Sequence, residues 1–234
     1  GDNIVVVYNS EEIFTAPTDG IAPGNVGDAF AGGTILYKGS AASLTNHTRL
    51  NSGQTVFYSA YSYNAGNYYS PALTANATSY KSAPVSQANN ISFTSVSATG
   101  MTVNWQNGNG ENRAVYINTE NTFTAPTDGS NPTANTLYSG SGQQCVYNSN
   151  GTNVQVTGLS AETSYWIRIY EFNNSNSNTR FNANTATNNP SSVFYENSSS
   201  ITAGTYNNLV LNSGTATNIS GDVTVNSSLT LTNG

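Results

Sequence analysis

The sequence predicts an all-β protein made of tandem sandwich domains, and three observations predict it. Thr, Val, Tyr, Ile and Phe lie between Gly, Asn, Asp and Pro punctuation, while Leu, Glu and Lys are sparse. Apolar residues alternate over short runs, as half-buried strands require. Finally, the heptapeptide FTAPTDG at residues 14 to 20 returns at 123 to 129, which sets a period of 109 residues. That period is too long for a solenoid coil or a propeller blade, and it suits a sandwich of about 100 residues plus a linker.

The repeat extends beyond the heptapeptide. VVVYNSEEIFTAPTDG (5 to 20) matches AVYINTENTFTAPTDG (114 to 129), with Val6 on Val115, Asn9 on Asn118 and Glu11 on Glu120. LNSGQTVFYSAYSYN (50 to 64) matches LSAETSYWIRIYEFN (159 to 173), and TILYKG (34 to 39) aligns with NTLYSG (135 to 140) at a smaller offset. These matches place a partial module at 1–82 and a complete one at 83–196, followed by a β-rich tail at 197–234. The second copy is preceded by NISFTSVSATGMTVNWQNGNG (90 to 110), and nothing equivalent precedes VVVYN in the first. The first copy is therefore expected to lack its front strands, which either lie upstream or come from a neighbouring chain.

Within the second copy, strands are expected at Ile91 and Phe93, at Met101, Val103 and Trp105, at Val115 and Ile117, at Val154 and Val156, and at Tyr165, Ile167 and Ile169. MTVNW followed by GLSAETSYWIRIYEFN resembles the fibronectin type III module. The resemblance implies a core Trp105 on the second strand and a Leu159-to-Tyr165 corner opening the sixth. In the first copy Leu50 plus six gives Val56, so the corner hydroxyl is missing there and that copy is expected to be less stable. The richness in Asn and Tyr is similar in style to type III modules of large secreted Bacteroidetes surface proteins exported by the type IX system. In the tail, the triplets at Leu209, Val223 and Leu229 and the spacing of 20 between Leu209 and Leu229 fit the first coil of a parallel β-helix.

Charge narrows the functional classes. Only 8% of residues are charged, with six Lys and Arg against twelve Asp and Glu. Without a basic cluster the electrostatic attraction that drives nucleic-acid binding is missing, and no apolar run reaches the roughly 20 residues of a membrane-spanning helix. Cys145 is the single cysteine, which rules out an intrachain disulfide and a CxxC metal knuckle.

Catalytic groups are thin. His47 and Cys145 have no partner signature and read as structural. Asp19 and Asp128 lie in PTDG turns without the DxDxD array that would supply six to eight oxygens to calcium, so turn chemistry explains them, with Pro at the second turn position. Sequons at Asn46, Asn76, Asn90, Asn150, Asn173, Asn197, Asn218 and Asn226 follow from the abundance of Asn. No catalytic, cofactor-binding or metal residues are expected.

The candidate interaction surface is aromatic. If Tyr165, Ile167 and Ile169 face inward, alternation places Trp166, Arg168, Tyr170 and Phe172 on the outer face, and Phe57, Tyr61 and Tyr63 repeat the stripe in the first copy. Such rings stack on sugars, anchor a partner or lie under a neighbouring module. The sequence is thus expected to encode non-enzymatic structural and interaction modules of an extracellular or cell-surface adhesin, stalk or filament. Its expected partners are other modules, neighbouring subunits or surface glycans. The alternative is an accessory carbohydrate- or substrate-binding region of a large secreted hydrolase.

Overall fold

A computed structural model of the protein describes residues 3 to 232 apart from 42, 44, 45, 141 and 213 to 217. The chain divides into two units, Gly1–Lys81 and Ser82–Gly234.

The first unit is one antiparallel sheet. Strands β1 (Asn3–Asn9), β2 (Ala29–Phe30), β3 (Gly33–Gly39), β4 (Thr55–Tyr63) and β5 (Leu73–Thr78) run in the order β2-β3-β1-β4-β5. Because side chains alternate, Val5, Val7, Ile35, Tyr61 and Tyr63 share one face and form its buried cluster.

The second unit is a two-sheet sandwich. Strands β6 (Asn89–Thr94), β7 (Gly100–Gln106) and β10 (Asn153–Thr157) form a sheet in the order β10-β7-β6. Facing it are β8 (Asn112–Asn118), β9 (Gln144–Ser149), β11 (Ser164–Asn173) and β13 (Ser191–Glu196), in the order β13-β11-β8-β9, with the short β12 (Arg180–Phe181) on β11. Three strands against four, with the first, second and fifth on one side, is the fibronectin type III arrangement. Met101, Val103, Trp105, Val115, Ile117, Val156, Ile167 and Ile169 meet between the sheets. Tyr165 forms the expected corner, its hydroxyl accepting the Ser160 N–H at 2.9 Å, and Trp105 donates from Nε1 to Asn107 Oδ1.

One end of this sandwich is closed by a buried ion pair. Arg113 Nε lies 3.0 Å from Glu171 Oε1, with side chains 3% and 0% exposed. Glu171 also accepts the Gly108 and Gly110 amides, while Arg113 donates to the Asn150 and Gly151 carbonyls. Charge-assisted bonds thereby tie the β7–β8 and β9–β10 turns to β8 and β11. A side chain at residue 110 would sit 2.5 Å from Glu171 Oε2, so glycine is needed for this approach.

One expected alignment changes. TILYKG is the counterpart of QCVYNS in β9, at an offset of 110, because the ladders pair Val7 with Ile35 and Tyr116 with Cys145 across the same bulge. NTLYSG shares letters with TILYKG, but Leu137 and Tyr138 lie outside the named strands. In the tail, β15 and β17 extend the second unit's sheet beyond β13, while two short strands pair separately. Strands β14 (Ser200–Ile201), β15 (Gly204–Asn212), β16 (Asn218–Ile219) and β17 (Val223–Thr232) follow β13, with β15 parallel to β13, β17 parallel to β15, and β14 parallel to β16. Leu209 pairs with Leu229 and Leu211 with Leu231.

Replacing Glu171 by Ala leaves Arg113 buried and two amides unmet, and is expected to cost about 3–5 kcal/mol. Tryptophan fluorescence during denaturant unfolding measures this, since Trp105 and Trp166 both lie in the second unit.

Candidate functional site

The outward positions of β11 and β4 form the site that the sequence points to, and the structure covers most of it. Arg168, Tyr170 and Phe172 are 4%, 3% and 4% exposed, and Tyr61 and Tyr63 are 3% and 9% exposed. The expected exposed stripe is therefore corrected for these five residues. Only Trp166 and Phe57, which stand at equivalent positions of the repeat, remain half-buried.

The cover is the repeated heptapeptide itself. In the second unit Phe123 and Ala125 pack on a cluster of Ala114, Tyr116, Cys145, Tyr170, Phe172 and Phe181. In the first unit Phe14 packs on Val5, Val7, Ile35, Tyr61 and Tyr63. The loop leaves its strand in the same way both times. Asn9 donates from Nδ2 to the Ile13 carbonyl and accepts the Glu11 amide, and Asn118 does the same with Thr122 and Glu120.

The far end of the loop is clasped. Asp19 Oδ1 accepts the Tyr69 N–H at 3.0 Å and Asp128 Oδ1 accepts the Phe181 N–H at 2.8 Å. Gly20 donates to the Asn67 carbonyl and Gly129 to that of Thr179. Each aspartate thus fastens the loop after β1 or β8 to a segment 50 or 53 residues later. Tight turns at Thr18–Ile21 and Thr127–Ser130 present it, with Gly20 and Gly129 at φ +81 and +79. Pro17 and Pro126 stand one residue before these turns, which corrects their expected place at the second turn position. The clasp brings Tyr69 against Tyr63 (ring centroids 5.6 Å apart) and Phe181 against Phe172 (4.8 Å).

The two covered faces differ most in what fills the position of Arg168. Arg168 is buried and donates to the Asn189, Ala183 and Asn184 carbonyls, with its guanidinium 4.9 Å from the centre of the Tyr170 ring. Its counterpart in the first unit is Ser59, fully buried with no hydrogen-bond partner for its hydroxyl. Ser59 lies in a cleft with Glu12, Phe14, Asp19, Tyr61 and Tyr69. Serine on a strand carries no signature, so this cleft was not legible from the residues alone.

Of the two reactive side chains, Cys145 joins the covered cluster, and burial pushes its thiol up to about 11. His47 Nδ1 is 2.9 Å from the Tyr58 hydroxyl, its ring packs 4.4 Å from that of Tyr8, and burial lowers its pKa. No three of His, Cys, Asp and Glu gather as metal ligands among the described residues.

No family model matches the chain, and no curated protein does. Among solved structures it is similar to the crystal structure of chicken CNTN1 FN1-FN3 domains, at 13% identity and a TM-score of 0.40, over 77% of this chain and 54% of that one. The chain thus spans about half the length of that structure. It is also similar to a two fibronectin type-III domain segment from chicken tenascin, at 14% identity and a TM-score of 0.27, over 77% and 81%.

Two outcomes are expected. Asp128→Ala removes a charged acceptor from a buried amide and should destabilise the second unit by about 1 kcal/mol, with Asp128→Asn milder, as measured by urea unfolding. Cys145 should resist iodoacetamide at pH 8 while folded and react quickly once urea unfolds the protein, as measured by mass spectrometry.

Proposed function

We infer that the chain is a non-catalytic structural and interaction segment of a long extracellular protein, such as a surface adhesin, stalk or filament. The observation that supports this reading is the continuity of hydrogen bonding from the sandwich into the tail. The sheet that starts at β9 continues through β13 and then, in parallel register, through β15 and β17. Leu209 and Val210 are buried there, 1% and 4% exposed, so packing as well as hydrogen bonding joins tail to module. Such a join suits a spacer that carries load, since a load-bearing chain has to pass from one folded element to the next without a loose linker. The parallel strands are read as the opening of a β-helix, and export to the cell surface by a type IX route belongs to the same reading.

The cleft at Ser59 favours a second reading, an accessory carbohydrate-binding region of a secreted hydrolase. The half-buried Tyr69 offers a ring at its wall, above the buried Ser59.

One pair of measurements separates the two. On the structural reading, the chain is not retained on a polysaccharide array, and deleting residues 204 to 232 raises amide exchange in β13 about tenfold by baring its edge. Retention on the array that Tyr69→Ala abolishes, together with unchanged exchange in β13, would reverse the assignment.

A further inference from the structure

The sheet of the first unit has two faces with different fates. One lies under the FTAPTDG loop. The other carries Ile4, Val6, Tyr8, Leu36, Tyr37 and Tyr58, all only half-buried. The repeat shows what this face is shaped to meet. Val6, Tyr8 and Tyr58 correspond to Val115, Ile117 and Ile167 at offset 109, and Leu36 corresponds to Val146 at 110. All four counterparts are 0% exposed. What covers them includes the β6–β7 hairpin, which contributes Ile91, Met101, Val103 and Trp105.

Two features of the first unit keep the geometry of a covered face. The Tyr37 hydroxyl accepts the Ala41 N–H, four residues on, just as the Tyr147 hydroxyl accepts the Gly151 N–H. In the second unit that pose sets the Tyr147 ring edge-on to Trp105, at 5.3 Å. Residues 46 to 50 also follow the course of β10 and the turn after it. Arg49 has φ +64 where Gly158 has φ +78, and His47 packs on Tyr8 at the position of Val156. β10 pairs along its length with β7, whereas residues 46 to 48 lie in no ladder.

We propose that this face of the first unit binds a two-stranded antiparallel β-hairpin with apolar residues at alternate positions. The second strand of the hairpin pairs with residues 46 to 48, and an aromatic side chain seats on Tyr37. Backbone pairing supplies affinity and the alternate apolar side chains supply specificity. The hydroxyls of Tyr8 and Tyr58 and the His47 imidazole replace three aliphatic side chains of the second unit, so the hairpin carries a hydrogen-bonding group opposite them.

The inference goes beyond the structural reading above and is tested apart from it. The probe is a peptide with the sequence of residues 84 to 109, added to the full chain in one arm and fused ahead of residue 1 in another, so that Gly1 takes the place of Gly110. The fusion keeps the spacing of the second unit, because β1 begins at Asn3 as β8 begins at Asn112. Amide exchange at residues 46 to 50 is expected to slow about tenfold in at least one arm. The substitution Val6→Lys should remove that protection, and Leu36→Ser should weaken it if the lysine variant does not fold. Unchanged exchange in both arms overturns the proposal. So does a concentration-dependent dimer of the unmodified chain that protects the same amides and is dissociated by Val6→Lys, since the occupant would then be a second copy.

Discussion

β11 leaves no side for water. Tyr165, Ile167 and Ile169 fill the space between the sheets, while Arg168, Tyr170 and Phe172 lie buried on the opposite side. A central strand that is apolar on both faces must be covered twice, and each cover must meet every polar group it traps. The opposing sheet is one cover. The other is a loop, and a loop brings unpaired amides with it, so it needs fixed partners. Asn118 at its start and Asp128 at its end supply them, with the Phe181 amide held by a carboxylate. Closure of the sandwich end by Arg113 and Glu171, and the bonds from Arg168 to residues 183, 184 and 189, answer the same demand.

Much of this fold was legible in the residues. Strand alternation placed the core of the second unit, Trp105 and Tyr165 included, because a pleat repeats every two residues wherever it lies. What alternation does not encode is whether the outward side chains stay wet. Trp166 through Phe172 read as an exposed stripe because a strand with one dry face is the usual case. The correcting sign was available in the aromatic that opens FTAPTDG, since Phe14 and Phe123 need a place to go. The function of Asp19 and Asp128 was less accessible, because their partners lie about fifty residues away and are backbone amides that no side-chain letter identifies. TILYKG was placed against the wrong segment for a similar reason: letters were compared where hydrogen-bond register decides.

The two copies use a common plan with different fillings. At the position of Arg168 the first copy has Ser59, and the space that a guanidinium and its loop occupy in one unit is a cleft in the other. At the positions of Ile117 and Ile167 it has Tyr8 and Tyr58, rings with polar tips. Both changes lie next to residues that the repeat keeps, namely Phe14, Asp19, Tyr37 and Leu50. Loop anchors were held while the surfaces they frame were altered, which is how modules on one scaffold acquire different contacts.

The parallel ladder from β13 through β15 to β17 also has a metric consequence. Neighbouring strands are separated by about 4.8 Å, so each strand in this ladder extends the sheet by that amount. A sandwich module adds length in one large step and ends in a fixed edge. The ladder adds it one strand at a time, and its last strand, β17, leaves Leu229 and Leu231 exposed.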